Sequence, residues 1–279
     1  MPELPTDVTA DATGTGSPLS FAVSERDRDV MDMVCEAIAA KHVMLAFQPV
    51  VQAKHTRRVA FYEGLIRVLD QTGRVIPARE FIDVIETAEI GRQVDCLALE
   101  HGLRTLAEHP GLRLAINMSA RSIGYPPWLA MLNRGLSANP TIAERLILEI
   151  TESSAMVMPD IVQVFMDDLQ HRGISFALDD FGAGFTSFRY LKEFYFDILK
   201  IDGQFIRGIH RNPDNQVLTQ ALISIAQHFE MFTVAEFVET AEDATFLAGS
   251  GIDCMQGYFF GAPATQPTWR AAGNGRMAG

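Results

Sequence analysis

Asp179 and Asp180 stand side by side where the apolar run Ile174–Asp179 gives way to Phe181-Gly182-Ala183-Gly184. Two adjacent carboxylates cannot both be desolvated and charged without cations or strong donors nearby. A divalent metal is the direct compensation. One carboxylate can bridge two ions while its neighbour completes the second ion's shell. Taken alone, Asp-Asp reads more simply as a charged turn, because acids are common in turns. The same kind of boundary recurs along the chain, however. Glu63, Asn117, Glu149, Lys200, Glu236 and Gln256 each close, or just follow, a short apolar run. A single strand-end acid is usually a cap or a solvated turn. Four of them on one rim (Glu63, Glu149, Asp179 and Glu236), with Asp180 beside, repel one another unless cations sit between. An all-oxygen set with an amide from Asn117, free of sulfur and imidazole, points to Mg²⁺ or Mn²⁺ rather than Zn²⁺. Two hard ions so held suit phosphoester hydrolysis. Lys200 among acids can hold an attacking water or a phosphoryl oxygen, or can serve as a structural ion pair. Arg67, just past Glu63, can grip a phosphate with its fork, or be a surface arginine. None of the 7 histidines falls in these clusters, which argues against a Ser-His or Cys-His nucleophile.

The elements that must position these residues alternate in type. Strands are expected over Met44–Val51, Arg58–Leu65, Leu112–Asn117, Leu146–Ile150, Ile174–Asp179, Asp197–Ile201, Thr233–Ala235 and Cys254–Gln256. Helices are expected over Ala78–Glu89, Gln93–Glu108, Pro127–Leu136, Pro159–Arg172, Asn215–Phe229 and Ala241–Gly249. Pro159 suits a helix's first turn, and Thr240 suits a cap. Such alternation predicts an α/β fold with a parallel sheet, and eight strands fit a (β/α)₈ TIM-type barrel, whose chemistry gathers at the carboxyl ends of its strands. A doubly wound open sheet is the second choice. Gly182 and Gly184 lack the third glycine of a dinucleotide fingerprint.

At 279 residues and 48% hydrophobic, the chain can bury one large core. A net charge of −12 disfavours nucleic-acid polymers and anionic membranes, though bound metal ions can still invert the local field for a small anion. The 3 cysteines are far apart, and neither Cys-x-x-Cys nor His-Glu-x-x-His occurs. Free thiols in a reducing cytoplasm are expected, with no membrane insertion, because no run reaches spanning length and no basic, apolar leader is seen. Residues 1–24 read as a disordered leader, 25–268 as one domain and 269–279 as a flexible tail.

Eight blocks in order resemble the EAL-domain family of cyclic di-GMP phosphodiesterases. They are Phe47-Gln48-Pro49-Val50, Tyr62-Glu63-Gly64-Leu65-Ile66-Arg67, Ile116-Asn117-Met118-Ser119, Leu148-Glu149-Ile150-Thr151-Glu152, the double-aspartate loop Leu178–Ser187, Leu199-Lys200-Ile201-Asp202, Val234–Thr240 and Gln256-Gly257-Tyr258-Phe259-Phe260. The resemblance implies a barrel with an antiparallel first strand and Mg²⁺- or Mn²⁺-dependent opening of cyclic di-GMP to linear pGpG. It implies Glu63, Asn117, Glu149 and Asp179 on a first ion, and Asp179, Asp180 and Glu236 on a second. It implies Glu236 as a candidate base, Lys200 orienting water, Gln256 supporting by hydrogen bonds and Glu152 steadying the Asp-Asp loop. Gln48, Leu65 and Arg67 match substrate contacts, and Asp202 and Glu239 match outer support. Ca²⁺ is expected to inhibit, because its longer and looser coordination misplaces the water. A homodimer is expected. The alternative is a receptor or protein-interaction module with little turnover. Three places depart from the pattern. Gly64 replaces alanine, Phe237 stands where glycine is common, and Phe194-Tyr195-Phe196 replaces a stretch that usually holds proline; those aromatics suit core filling or an apolar dimer face.

Overall fold

Alternating inward and outward side chains along eight strands build the frame that carries the polar strand ends. The computed structural model describes residues 18–78, 81–82, 85, 88–183 and 191–273. The strands are β1 (Val43–Gln52), β2 (His55–Leu69), β3 (Val75–Ile76), β4 (Leu114–Asn117), β5 (Leu146–Thr151), β6 (Ser175–Phe181), β7 (Ile198–Ile201), β8 (Phe232–Ala235) and β9 (Cys254–Gln256). They hydrogen-bond in the order β1-β9-β8-β7-β6-β5-β4-β2-β3, and β1 also pairs with β2, which closes eight strands into a barrel. β1 runs antiparallel to both neighbours, while β2 and β4 through β9 pair parallel. The expected (β/α)₈ barrel with an antiparallel first strand is therefore the observed fold, and the open sheet is not. β3 is a two-residue antiparallel addition to the end of β2.

Helices α1 (Pro18–Ala39), α2 (Glu89–Glu108), α3 (Pro126–Ala138), α4 (Glu152–Val157), α5 (Pro159–Gln170), α6 (Gly203–Ile206), α7 (Pro213–His228), α8 (Ala241–Gly249) and α9 (Thr268–Gly273) accompany the strands. Several start on the cap chemistry that their sequences offer. Thr151 accepts from the Ser154 amide, Asp202 from Gln204, Asn212 from Asn215 and Thr240 from Asp243, each satisfying an amide that the first turn leaves free. Pro159 opens α5 as expected. The outward strand faces, among them Leu114, Ile116, Leu148, Phe176, Leu178, Leu199 and Ile201, join helix residues such as Leu99, Leu103, Trp128 and Phe165 in one shell of apolar packing.

Several expectations change. Residues 18–24, expected within the leader, are helical and belong to α1, whose Val30, Val34, Ala37 and Ile38 are buried; residues 1–17 lie outside the described residues. Residues 269–273 are helical rather than a loose tail. The Trp269 ring meets Phe47, Tyr62 and His109 edge-on, at centroid separations of 5.1, 5.7 and 4.7 Å. The helix expected over Ala78–Glu89 falls partly on residues 79–80, 83–84 and 86–87, outside the described residues, and Glu89 instead begins α2. Part of the double-aspartate loop, residues 184–187, also lies outside them. Phe194 and Phe196 fill the core, while Tyr195 between them is exposed. Among the described residues no helix is long and apolar enough to cross a membrane.

Candidate active site

The barrel floor explains where the polar residues must go. Each of the eight strands sends one apolar side chain into a single interior layer: Val50, Phe61, Ala115, Ile147, Ala177, Ile198, Val234 and Cys254. Side chains two positions apart share a strand face. Two residues onward from that layer stand Glu63, Asn117, Glu149, Asp179, Lys200, Glu236 and Gln256; on the reversed β1 the step is backward, to Gln48. The inward face thus changes from apolar to polar at one height around the whole barrel. Gln48 pairs with Glu63, Asn117 with Glu149, and Gln256 with Val50 in the strand registers, so the ring is fixed by backbone pairing.

Lys200 is the hub. Its ammonium lies 2.9 Å from Asp179 Oδ1, 3.0 Å from Glu149 Oε2, 3.0 Å from Glu236 Oε1 and 3.6 Å from Glu63 Oε2, at 0% exposure. Glu63 has further donors. Asn117 Nδ2 donates to Oε1 at 2.8 Å, and Gln256 Nε2 donates to Oε2 and also to Gln48 Oε1. Gln48 in turn donates to the Gly261 carbonyl. Burial acts to raise the Glu63 carboxyl, but Lys200, Gln256 and Asn117 outweigh it and hold the group below its ordinary value. Glu149 and Glu236 go the other way. Burial lifts both well above the carboxylate range, and the neighbouring acids add to that against the pull of Lys200. Burial acts to lower the Lys200 ammonium, but the surrounding carboxylates raise it well above its usual value. Burial, with Asp179 alongside, pushes Asp180 up to about 6.

Four acids touch one ammonium and Asp180 stands beside Asp179, so carboxyl groups outnumber the cationic partners within the ring. Glu149 Oε1 and Glu236 Oε2 are buried without a hydrogen-bond donor, and Asp179 Oδ1 touches Lys200 without hydrogen-bond geometry. Asp179, Asp180 and Glu236 each offer an oxygen within 4.8 Å of the others. Buried orphan oxygens on hard, anionic ligands fit Mg²⁺ or Mn²⁺. With its nitrogen given to Glu63, Asn117 keeps its amide oxygen as an acceptor for the same site.

The outer residues sort by position. Asp180 adopts φ +54, a left-handed conformation that aspartate tolerates, which sets it beside Asp179 instead of opposite. Glu152, buried under the loop, accepts from the Gly182 amide at 3.0 Å and so steadies the Asp-Asp turn; it does not line the cleft. Asp202 caps α6 and likewise does not line the cleft. Glu239 is at the rim, 3.7 Å from Arg207 Nε. A cleft of 320 Å³ opens over the ring, walled by Gln48, Leu65, Arg67, Phe237, Tyr258 and Pro263. Half-buried Arg67 has its guanidinium pulled below the usual value by desolvation, with Glu63 opposing. Tyr258 and Pro263 were not singled out as wall residues. Tyr258 lies two positions beyond Gln256, a spacing that could have flagged it.

Comparison with known proteins agrees with this geometry. Residues 31–263 match the EAL domain. The chain is 32% identical over 238 residues to the cyclic di-GMP phosphodiesterase PdeF of Escherichia coli, covering 84% of this chain and 32% of that protein. It thus spans about a third of that relative's length. The structure resembles the FimX EAL domain from Pseudomonas aeruginosa bound to c-di-GMP (TM-score 0.77, 26% identity, 85% of this chain and 97% of that one). It also resembles the calcium/cy-diGMP complex of Klebsiella pneumoniae BlrP1 (TM-score 0.71, 27% identity, 81% and 57%). Barrel order, strand-end chemistry and matched length converge, and the chain belongs to the EAL domain family.

Proposed function

We propose that this chain hydrolyses cyclic di-GMP to linear pGpG. The observation that carries the reading is the ring of buried acids around Lys200, with donor-free oxygens on Glu149 and Glu236 and with Glu63, Asp179, Asp180 and Glu236 lining one cleft. Glu63, Asn117, Glu149 and Asp179 would hold one divalent ion, and Asp179, Asp180 and Glu236 a second. Such ions supply Lewis-acid activation of water and neutralise charge on phosphorus. The side chains do the rest. Glu236, whose carboxyl is raised by burial, accepts the proton from water as general base. Lys200 donates to the water or to a phosphoryl oxygen from the centre of the ring. Arg67 offers its fork to a non-bridging phosphate oxygen. Gln48 and Gln256 keep Glu63 in place, and Glu152 holds the Gly182 turn that carries Asp180. Asp202 and Glu239 support from outside the ring. Leu65 contributes apolar wall. The water oxygen bonds to one phosphorus, the bond to the ribose 3′ oxygen breaks, and that oxygen takes a proton from solvent in exchange for the one that Glu236 removed from the water and then releases.

The protein is expected to act in the cytoplasm. A homodimer is supported by exposed Ile161 and Val164 on α5 and exposed Tyr195, where an apolar face stands open. The test of function is direct. The chain is incubated with cyclic di-GMP in Mg²⁺, Mn²⁺ or Ca²⁺, and pGpG is followed by chromatography. Product is expected with the first two and suppressed by the third. Glu63→Ala removes a ligand and is expected to lower turnover at least 100-fold, about 2.7 kcal/mol in barrier, while the circular dichroism spectrum persists. Tight nucleotide binding without pGpG from the parent chain would establish the receptor alternative in its place.

A further inference from the structure

We infer that Phe237 is a specificity residue, a fixed wall against which a nucleobase of the ligand packs, and that Gly203 and Arg207 hold it there. The inference rests on the nucleotide reading above. Phe237 follows Glu236 directly and has φ +53, a backbone conformation that phenylalanine rarely adopts. The residue is 43% exposed, yet its ring is hemmed in. A Cβ on Gly203 would lie 2.4 Å from Phe237 Cδ2, so the ring lies in the space that only glycine leaves. The Arg207 guanidinium sits over the ring, 4.1 Å from its centroid, and Arg207 is anchored in turn by Glu239 at 3.7 Å. A strained residue that its surroundings over-determine is a mark of function, since packing alone would be served by a relaxed backbone.

The cleft divides by chemistry. Its floor is the acid ring, suited to ions and phosphate, and its rim carries apolar surface from Phe237 and Leu65. A nucleotide whose phosphate sits at the floor extends through its ribose toward that rim. Aromatic side chains stack on any base because every base has a π face, and a ring already immobilised loses little freedom on binding. The guanidinium on Phe237 adds a cation to the same assembly.

The test compares a ligand that has a base with one that lacks it. Affinities of the magnesium-loaded chain for GMP and for ribose 5-phosphate are measured by titration calorimetry. Phe237→Gly, which suits the positive φ, is expected to weaken GMP about tenfold and to leave ribose 5-phosphate unchanged. Phe237→Tyr keeps the ring and is expected to stay within about twofold of the parent. Gly203→Ala displaces the ring and is expected to reproduce the GMP loss, with no further loss when added to Phe237→Gly. Equal effects on the two ligands, no effect on either, or additive losses from the two sites would overturn the inference. A parent chain that binds GMP but makes no pGpG defeats the hydrolysis reading, while the ratio between the ligands still decides the role of Phe237.

Discussion

Replacing Lys200 with methionine keeps a buried stem of similar length and removes only the ammonium. Nζ lies within 3.0 Å of Asp179, Glu149 and Glu236 and 3.6 Å from Glu63, so the change leaves four carboxylates buried with no cationic side chain among them. Truncating one member of a buried ion pair costs about 3–5 kcal/mol. An exposed pair is worth only about 0–1 kcal/mol, and a volume-conserving swap costs less than about 1.5 kcal/mol. At 0% exposure, Lys200 belongs to the first class. Urea unfolding at pH 7, followed by far-ultraviolet circular dichroism in a chelator, is expected to show a loss of about 3–5 kcal/mol. Divalent ions change the comparison. The ammonium repels a cation from the ring, so Lys200→Met is expected to bind Mg²⁺ more tightly and to be stabilised by it more than the parent. An ion at one hundred times its dissociation constant adds about 2.7 kcal/mol, and the gap narrows by the amount by which the variant's gain exceeds the parent's. Turnover is still expected to fall, because no donor remains for the water or the phosphoryl oxygen. A variant as stable as the parent in chelator would refute the role of the ammonium as the tie among the acids. Equal stabilisation of the two proteins by Mg²⁺ would refute the competition between lysine and metal.

Two further predictions concern parts of the fold away from the acid ring. Burial acts to raise the Asp243 carboxyl, but His210 Nδ1 at 2.6 Å, the His210 amide at 3.1 Å and Thr240 Oγ1 at 2.7 Å hold it below its ordinary value. A depressed folded-state value gives stability that is whole above the unfolded value, about 3.9, and is lost as pH falls through the folded one. Asp243→Asn is therefore expected to cost about 2 kcal/mol at pH 7, and unfolding curves at acid pH should show the difference closing. At Gly64 a Cβ would lie 2.8 Å from Ile116 Cδ1, whose tip also sits 2.9 Å from where a Gly102 Cβ would be. Restoring the family's alanine by Gly64→Ala is expected to cost about 1 kcal/mol from overpacking. Adding Ile116→Val removes the offending tip, so thermal melts should show the two costs failing to add.

The site was more legible than the chain's ends. Each strand that supplies a ring residue carries its own short apolar run, so the position just past it can be found without knowing the neighbours. Glu63, Glu149 and Lys200 needed only that local signal. The helix α1 carried a signal too, because Val30, Val34, Ala37 and Ile38 follow helical spacing. It was masked by the Thr-, Gly- and Pro-rich stretch just before it, which reads as a leader. Trp269 had no periodic context at all. Its partners Phe47, Tyr62 and His109 come from distant parts of the chain, so its order is a tertiary fact. Phe237 shows a third kind of limit. Its departure from the family pattern was visible, but its reason was not, because the compensation at Gly203 lies across a strand pair and depends on a close approach of ring to backbone.

That last case bears on how such a site survives in a folding chain. A barrel needing only stability would carry its inward apolar layer one step further up every strand. This one instead places eight polar side chains at the same height, with several acids whose burial is unfavourable without partners. The interior layer of Val50, Phe61, Ala115, Ile147, Ala177, Ile198, Val234 and Cys254 lies directly beneath, so the polar ring is carried on a dry floor and the strand registers cannot slip without exchanging the two faces. A one-residue slip would turn the acids toward the outer helices and Leu178 or Leu199 toward the cleft. The cost of burying the ring is therefore also what keeps its geometry single-valued. The same low-dielectric setting that lifts Glu149 and Glu236 would strengthen the pull of their ionised forms on a small, hard cation.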